Sequence, residues 1–133
     1  MEMNRIFNAA SITLGILGGI AARIFGAWDT ALWALVVIMV LDYVTGVIKA
    51  VYLKRVSSET GYRGILKKIT ILVIVALANI VQEITGDFAA IREIVIMFYI
   101  ANEGISILEN AAEILPNMPD KLKDILLQIR DKE

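Results

Sequence analysis

Long apolar runs alternate with short polar breaks along this chain, in a pattern typical of membrane helices. Four apolar segments cover residues 6–27, 30–53, 65–86 and 88–112. Each is close to the ~20 residues that a helix needs to cross about 30 Å of hydrocarbon. A shorter segment over residues 119–131 carries its apolar residues on one helical face. The pattern predicts an all-α membrane protein, with three to four transmembrane helices and a short amphipathic C-terminal helix in one domain.

The first segment decides whether the chain crosses the membrane three or four times. It is diluted by polar side chains and by several glycines, so it either spans the membrane or lies on its surface. Ser11, Gly15 and Gly19 recur at four-residue spacing and form a small-residue ridge, where a second helix can approach closely. The alternative is that these glycines are ordinary filler in a membrane helix.

Composition agrees with a membrane setting and narrows the function classes. Hydrophobic residues make up 58 % of the chain and its mean hydropathy is +0.70, whereas soluble domains are roughly 45–50 % apolar. The 13 basic and 14 acidic residues nearly cancel, which argues against a nucleic-acid partner. The chain has neither cysteine nor histidine, so thiol nucleophiles, the usual zinc ligands and the commonest general base are absent. We therefore expect no enzymatic activity, no cofactor and no metal.

The basic residues predict the orientation of the helices. Five of them lie within residues 54–68, from the end of the second segment to the start of the third, accompanied by a single acidic residue, Glu59. Short basic loops stay on the cytoplasmic side of a membrane. This predicts that the loop and the C-terminus are cytoplasmic, with the tail helix either docked on the membrane surface or resting on the protein's own bundle. The residues of this cytoplasmic basic loop are Lys54, Arg55, Arg63, Lys67 and Lys68.

Polar side chains form stripes along three of the predicted spans, and lipid offers their hydrogen-bonding and charged groups no partners. Asp42 and Glu103 lie near the middle of their spans, where an ionised acid costs roughly 2.5–3.5 kcal/mol. We expect the two acids to meet at similar depth, with Lys49 either beside them or extended toward the basic loop. The stripes either line water or hold helices and subunits together. They comprise Asp42, Thr45, Gly46, Lys49, Asn79, Tyr99, Asn102, Glu103, Ser106, Glu109 and Asn110.

Four motifs resemble, in order, those of the toxin-secretion/phage-lysis holin family, also called phage holin family 4. They are "LDYVTGVIKAV", "SSETGYRGILKKI", "YIANEGISILENAAEI" and "LPNMPDKLKDIL", and the resemblance covers residues 32–127. It implies a multi-pass protein of the bacterial cytoplasmic membrane that assembles with itself and opens lesions in the lipid bilayer. It further implies a functional partner, either an endolysin that reaches the cell wall through the lesion or a large exported toxin.

Two other classes of membrane protein fit the same pattern of spans and stripes. A small multi-span ion channel or multidrug-type transporter also combines short spans with a membrane acid. A non-conducting scaffold would use every polar stripe as a packing surface. A lesion-forming protein is expected to destroy membrane integrity abruptly, whereas a channel or transporter would move a selected solute.

Overall fold

The computed structural model describes residues 1–86, 90–117 and 119–132. These residues form five α-helices and no strand: α1 (Glu2–Phe25), α2 (Thr30–Tyr52), α3 (Ser58–Ile84), α4 (Ile91–Ala112) and α5 (Asp120–Lys132). Among the helices of the described residues, α1, α2 and α3 are long and apolar enough to cross a membrane. The predicted all-α membrane architecture is confirmed.

Helix α3 starts earlier than the predicted apolar segment, which begins at residue 65. The helix begins at Ser58, because the Ser57 hydroxyl accepts a hydrogen bond from the Thr60 amide at 3.4 Å and caps it. Arg63 and Glu59 form an ion pair across the first exposed turn, at 2.6 Å. Local capping thus extends the helix beyond the apolar run. The predicted basic loop is corrected accordingly: Arg63, Lys67 and Lys68 lie on α3, and Lys54 and Arg55 lie in the α2–α3 connection.

The other helix bounds shift by smaller amounts. α1 begins at Glu2 rather than at residue 6, and α5 covers Asp120–Lys132 rather than residues 119–131. α4 begins at Ile91, and the predicted start at residue 88 lies outside the described residues.

Helices α2, α3 and α4 form a bundle in which α2 and α4 run parallel and α3 runs antiparallel to both. Its core contains Leu32, Leu35 and Met39 from α2, Ile71 and Val75 from α3, and Ile96 from α4. Leu35, Val75 and Ile96 have no exposed surface. The outward faces of α2 and α3 stay apolar, as at Val40 and Val73, which are 56 % and 59 % exposed. These outward faces suit lipid, while the inward faces hold the bundle together.

Helix α1 stands apart from this bundle. No residue of α1, which is described over its whole length, is buried. It meets α3 at its C-terminal end, where Arg23 pairs with Glu83. Gly15 and Gly19 have open space around them, with no described atom within 4 Å of an added Cβ. The predicted small-residue ridge therefore has no partner helix within the described protomer.

Helix α5 folds back along α4. A Cβ added at Gly104 of α4 would lie 3.2 Å from Leu126 of α5, so this side chain rests on the α4 backbone. Nearer the start of α5, Lys123 lies 4.0 Å from Glu109. The tail helix thus rests on the protein's own bundle, which was one of the two arrangements expected for it.

Candidate functional site

Lys68 lies between the two membrane acids, and the three side chains form an ion cluster, hereafter the Lys68 cluster. Its ammonium is 2.7 Å from Asp42 Oδ2 and 2.5 Å from Glu103 Oε2. The residues come from three different helices, α2, α3 and α4. Asp42 is 9 % exposed and Glu103 is fully buried. The ion pairs of the cluster therefore hold α2, α3 and α4 together at the centre of the bundle.

The fold brings Asp42 and Lys68 together because α2 and α3 form a hairpin. The two residues are equally distant in sequence from Arg55 in the connection between the helices. A helix rises by 1.5 Å per residue, so equal distances from a turn place two residues at the same level. Glu103 reaches this level from the middle of α4.

The charges in the cluster do not balance, since two carboxylates share one buried ammonium. Glu103 Oε1 is buried and has no hydrogen-bond partner among the described residues. Lys67 approaches this oxygen to 3.6 Å, but its side chain is 63 % exposed. Lys68, with a side chain that is 13 % exposed, is therefore the principal counter-ion of both acids.

Asp42 receives further hydrogen bonds from the C-terminal part of α4. Asn110 Nδ2 donates to Asp42 Oδ1 and to the Thr45 hydroxyl, in both cases at 3.2 Å. The Thr45 hydroxyl in turn donates to the Asp42 carbonyl at 3.0 Å. Gly46 adjoins this contact, since a Cβ there would lie 3.7 Å from the Asn110 amide, an ordinary van der Waals distance. Asp42, Thr45, Gly46 and Asn110 thus meet as one polar contact between α2 and α4.

A polar cleft leads from the α2–α3 connection to the Lys68 cluster. It has a volume of about 880 Å³, and Lys49, Ser106 and Asn110 are among its lining residues. On its α3 side Tyr43 packs over two glycines, with its hydroxyl 3.3 Å from the position of a Cβ on Gly61 and its ring 3.7 Å from one on Gly64. The cleft gives water a route to Asp42 and Lys68 from one end of the bundle.

Lys49, for which a position beside the acids is one of the two predicted alternatives, is not the cation that binds them. It lies two turns from Asp42 toward the connection, is half-buried and lines the cleft. Lys68 binds the acids instead, because the α2–α3 hairpin brings it to the level of Asp42.

The remaining predicted stripe residues are spread along the bundle. Asn79 lies near its other end, where its amide donates to the Ile24 carbonyl at 3.0 Å. Tyr99 packs edge-on against Phe98, with ring centroids 5.2 Å apart. Asn102 is half-buried and Glu109 is exposed. These residues do not join the Lys68 cluster.

Sequence reasoning missed Arg92, which is 3 % exposed at the start of α4. Its guanidinium donates to the Phe25 carbonyl at 2.7 Å and to the Ala27 carbonyl at 2.8 Å. It also donates to the Asp29 carboxylate at 2.8 Å. Arg92 therefore holds the α1–α2 connection against the bundle. The sequence feature that could have indicated this role is a lone arginine at the start of an apolar segment.

The same junction explains Gly26 and shifts the pKa of Asp29. Gly26 has φ +82°, and an added Cβ would lie 2.7 Å from both Arg92 Nε and Asn79 Oδ1, so only glycine fits there. The Asp29 carboxylate accepts hydrogen bonds from Arg92 and from the Leu32 amide at the start of α2. The hydrogen bond from Arg92, followed by the Leu32 bond and the Arg92 charge, holds the pKa of Asp29 below its usual value.

Comparison with known proteins identifies the family. The profile of the bacteriophage holin family matches residues 19–131. The chain belongs to this family. It is similar to a probable holin of Bacillus phage phi105, with 35 % identity over 92 residues that cover 69 % of this chain and 68 % of the relative. This result confirms the resemblance inferred from the motifs.

Other relatives of this holin-family protein occur in bacteria. A 14.9 kDa protein from the nagH 3′ region of Clostridium perfringens is 42 % identical over 132 residues, covering 98 % of this chain and 100 % of the relative. A protein of Listeria monocytogenes is 42 % identical over 118 residues, covering 87 % and 84 % of the two chains. No solved structure matches the chain.

Proposed function

We propose that this holin-family protein is a phage-type holin. Copies of it accumulate in the bacterial cytoplasmic membrane, assemble as homo-oligomers and open lesions, through which an endolysin reaches the cell wall or a large toxin leaves the cell. The observation that carries the proposal is the Lys68 cluster, which joins three helices of a small bundle by charges that lipid cannot stabilise. The relation to a probable phage holin supports the same role.

The Lys68 cluster gives a physical reason why closed protomers would accumulate in the membrane and then reorganise suddenly. Within one protomer, Asp42 and Glu103 are stabilised by Lys68, and separating them inside lipid is unfavourable. In an assembly, water or a neighbouring copy offers these groups new partners. The closed bundle is then no longer lower in free energy than an open arrangement. More protomers open as copies accumulate.

Helix α1 supplies a surface for the contact between copies. It is described over its whole length with no buried residue, and its ridge of Ser11, Gly15 and Gly19 is open. Small residues allow two membrane helices to approach closely, so that dispersion forces can hold them together. In the proposed assembly this ridge packs against a second copy of the chain.

One observation favours the alternative of a small ion channel or multidrug-type transporter. The polar cleft reaches Asp42 and Lys68 from one end of the bundle, as an ion or substrate pathway would. A channel or transporter would conduct selectively and leave the membrane intact, whereas a holin would abolish the membrane potential and pass a folded enzyme.

Expression in bacteria separates these functions. The chain is induced with an active cytoplasmic endolysin, with a catalytically inactive endolysin, or alone, while culture density and membrane potential are recorded. A holin collapses the potential at a defined time in all three cultures and clears only the culture with active endolysin. A maintained potential, together with uptake or efflux of a specific solute, would instead identify a channel or transporter.

A further inference from the structure

Helix α5 lies at a level where a membrane-embedded bundle is surrounded by hydrocarbon. Leu126 contacts Gly104, which is adjacent to Glu103 of the Lys68 cluster. The cluster marks the middle of α2, a helix long and apolar enough to span a membrane. From Leu126 the helix continues to Lys132, toward the end of the bundle where α4 begins. α5 is therefore alongside the bundle rather than beneath it.

The exposed surface of α5 carries charged side chains along its whole length, and among them Leu122 and Ile125 are 44 % and 46 % exposed. Three other hydrophobic residues of α5, Leu126, Leu127 and Ile129, are half-buried, and Leu126 contacts Gly104 of α4. The exposed charged residues are Asp120, Lys121, Lys123, Asp124, Asp131 and Lys132. Charged side chains on a lipid-facing surface at this level are strongly unfavourable, and the short aspartates cannot reach the headgroups.

The other outward faces of the protomer have the opposite character. Val40, within one turn of Asp42, is 56 % exposed on α2, and Val73 is 59 % exposed on α3. The protomer thus has an apolar side formed by α2 and α3 and a charged side formed by α5. Lipid suits the first side and water suits the second.

We propose that the outer face of α5 lines an aqueous space enclosed by several copies of the chain. This inference rests on the proposed lesion-forming function and assigns the lining of the lesion. Glu103 and Asn110 of the α4 polar stripe do not line it, because both are buried within the protomer. In the assembly, water reaches the side of the protomer on which α5 docks against α4. The half-buried apolar residues of α5 hold it there.

Single cysteines introduced into this cysteine-free chain test the assignment. Asp124→Cys places a thiol on the outer face of α5, Val40→Cys places one on the apolar side at a similar level, and Arg55→Cys places one in the exposed α2–α3 connection. Each full-length protein is added to a planar lipid bilayer until lesion currents are steady. A polyethylene-glycol maleimide is then added to both sides, and the modified fraction is measured by gel shift.

We expect the current to fall several-fold with Asp124→Cys and to stay constant with Val40→Cys and Arg55→Cys. An unchanged current after complete modification of Asp124→Cys would overturn the α5 lining and leave the lesion function standing. An equal fall with Arg55→Cys would also overturn it, since the obstruction would then lie outside the bundle. A chain that carries no current before modification would overturn the lesion function itself.

A disulfide between α4 and α5 provides an independent test. Gly104→Cys combined with Leu126→Cys joins the helices at their contact. If docked α5 belongs to the open assembly, the oxidised protein carries the same current as the reduced one. Loss of current on oxidation, with recovery on reduction, would show that α5 must leave α4 for the lesion to open, and would overturn the proposal.

Discussion

The ammonium of Lys68 lies 2.7 Å from the carboxylate of Asp42, and this contact joins α2 to α3 at the centre of the bundle. The same ammonium reaches Glu103 of α4. One cation thus compensates two buried acids from two other helices. Replacing it affects the packing of three helices at once, which makes Lys68 the most informative position for mutation.

Lys68→Met should destabilise the bundle strongly. It leaves Asp42 and Glu103 without their principal counter-ion, a change that costs about 3–5 kcal/mol for buried pairs. Lys67→Met is the matched control, because the Lys67 side chain is 63 % exposed and lies 3.6 Å from Glu103, so its removal should cost less than removal of the buried Lys68. Thermal unfolding in detergent, followed by circular dichroism, measures the difference. Equal melting temperatures for the two variants would contradict the role of Lys68.

Removing the charge of either acid should change the onset of lysis. Asp42→Asn and Glu103→Gln keep the size of the side chain and ease insertion by up to about 3.5 kcal/mol per charge. They also remove the attraction that keeps Lys68 inside the protomer. Lysis onset is measured at equal amounts of membrane-bound protein, quantified by immunoblot. Wild-type timing in both variants would leave the acids with a packing role alone.

Double mutants test which lysine shares a network with Asp42. Asp42→Asn and Lys68→Met should be non-additive in stability, because residues in direct contact couple by about 0.5–3 kcal/mol. Asp42→Asn and Lys49→Met should be additive, since Lys49 lies two turns away and lines the cleft. Coupling with Lys49 instead of Lys68 would show a different arrangement of the cluster in the membrane.

Gly26→Ala should loosen the attachment of α1. The new Cβ would lie 2.7 Å from Arg92 Nε, at a residue with φ +82°. Gly26 also has ψ −170°, a backbone conformation that is essentially restricted to glycine. Gly86→Ala is the comparison, because Gly86 has φ +70° with no described atom within 4 Å of an added Cβ, so Gly26→Ala should lose more stability than Gly86→Ala. Limited proteolysis of the α1–α2 connection and thermal unfolding report the loss.

The Asp29–Arg92 contact should make the junction sensitive to acid. Arg92 lowers the pKa of Asp29 in the folded protein, so its contribution is complete above the unfolded value of about 3.9. It is lost as the pH falls from there through the folded pKa. Asp29→Asn should flatten the fall in melting temperature at acidic pH, whereas Asp124→Asn on exposed α5 should leave it unchanged. Identical acid profiles for wild type and Asp29→Asn would contradict this prediction.

The small-residue ridge on α1 should hold copies of the chain together. Gly15→Leu or Gly19→Leu would block close approach of a second helix and weaken oligomers. Thr13→Leu places the same leucine side chain on the opposite face of α1 and serves as the control. Crosslinking in membranes followed by gel electrophoresis measures the oligomer distribution. Unchanged ladders in both glycine variants would mean that these glycines are filler.

The membrane class, the helical architecture and the family could be predicted from the sequence. Each rests on properties that neighbouring residues carry along the chain: the length of apolar runs, the spacing of polar stripes, and motifs such as "LDYVTGVIKAV". The central position of Asp42 and Glu103 could also be predicted, because helix length alone places them near mid-span. Hydropathy did not reveal where α3 begins, since a Ser57 cap and not an apolar residue sets that end.

Only the tertiary structure decided which residues meet. Lys68 rather than Lys49 binds the two acids, Arg92 reaches Asp29 from a distant part of the chain, and α5 turns back onto α4. These contacts depend on the direction and rotation of each helix relative to its neighbours, which no single segment specifies. The sequence by itself determined that buried charges need partners within the membrane, because lipid provides none. The packing of α2, α3 and α4 determined which partners they have.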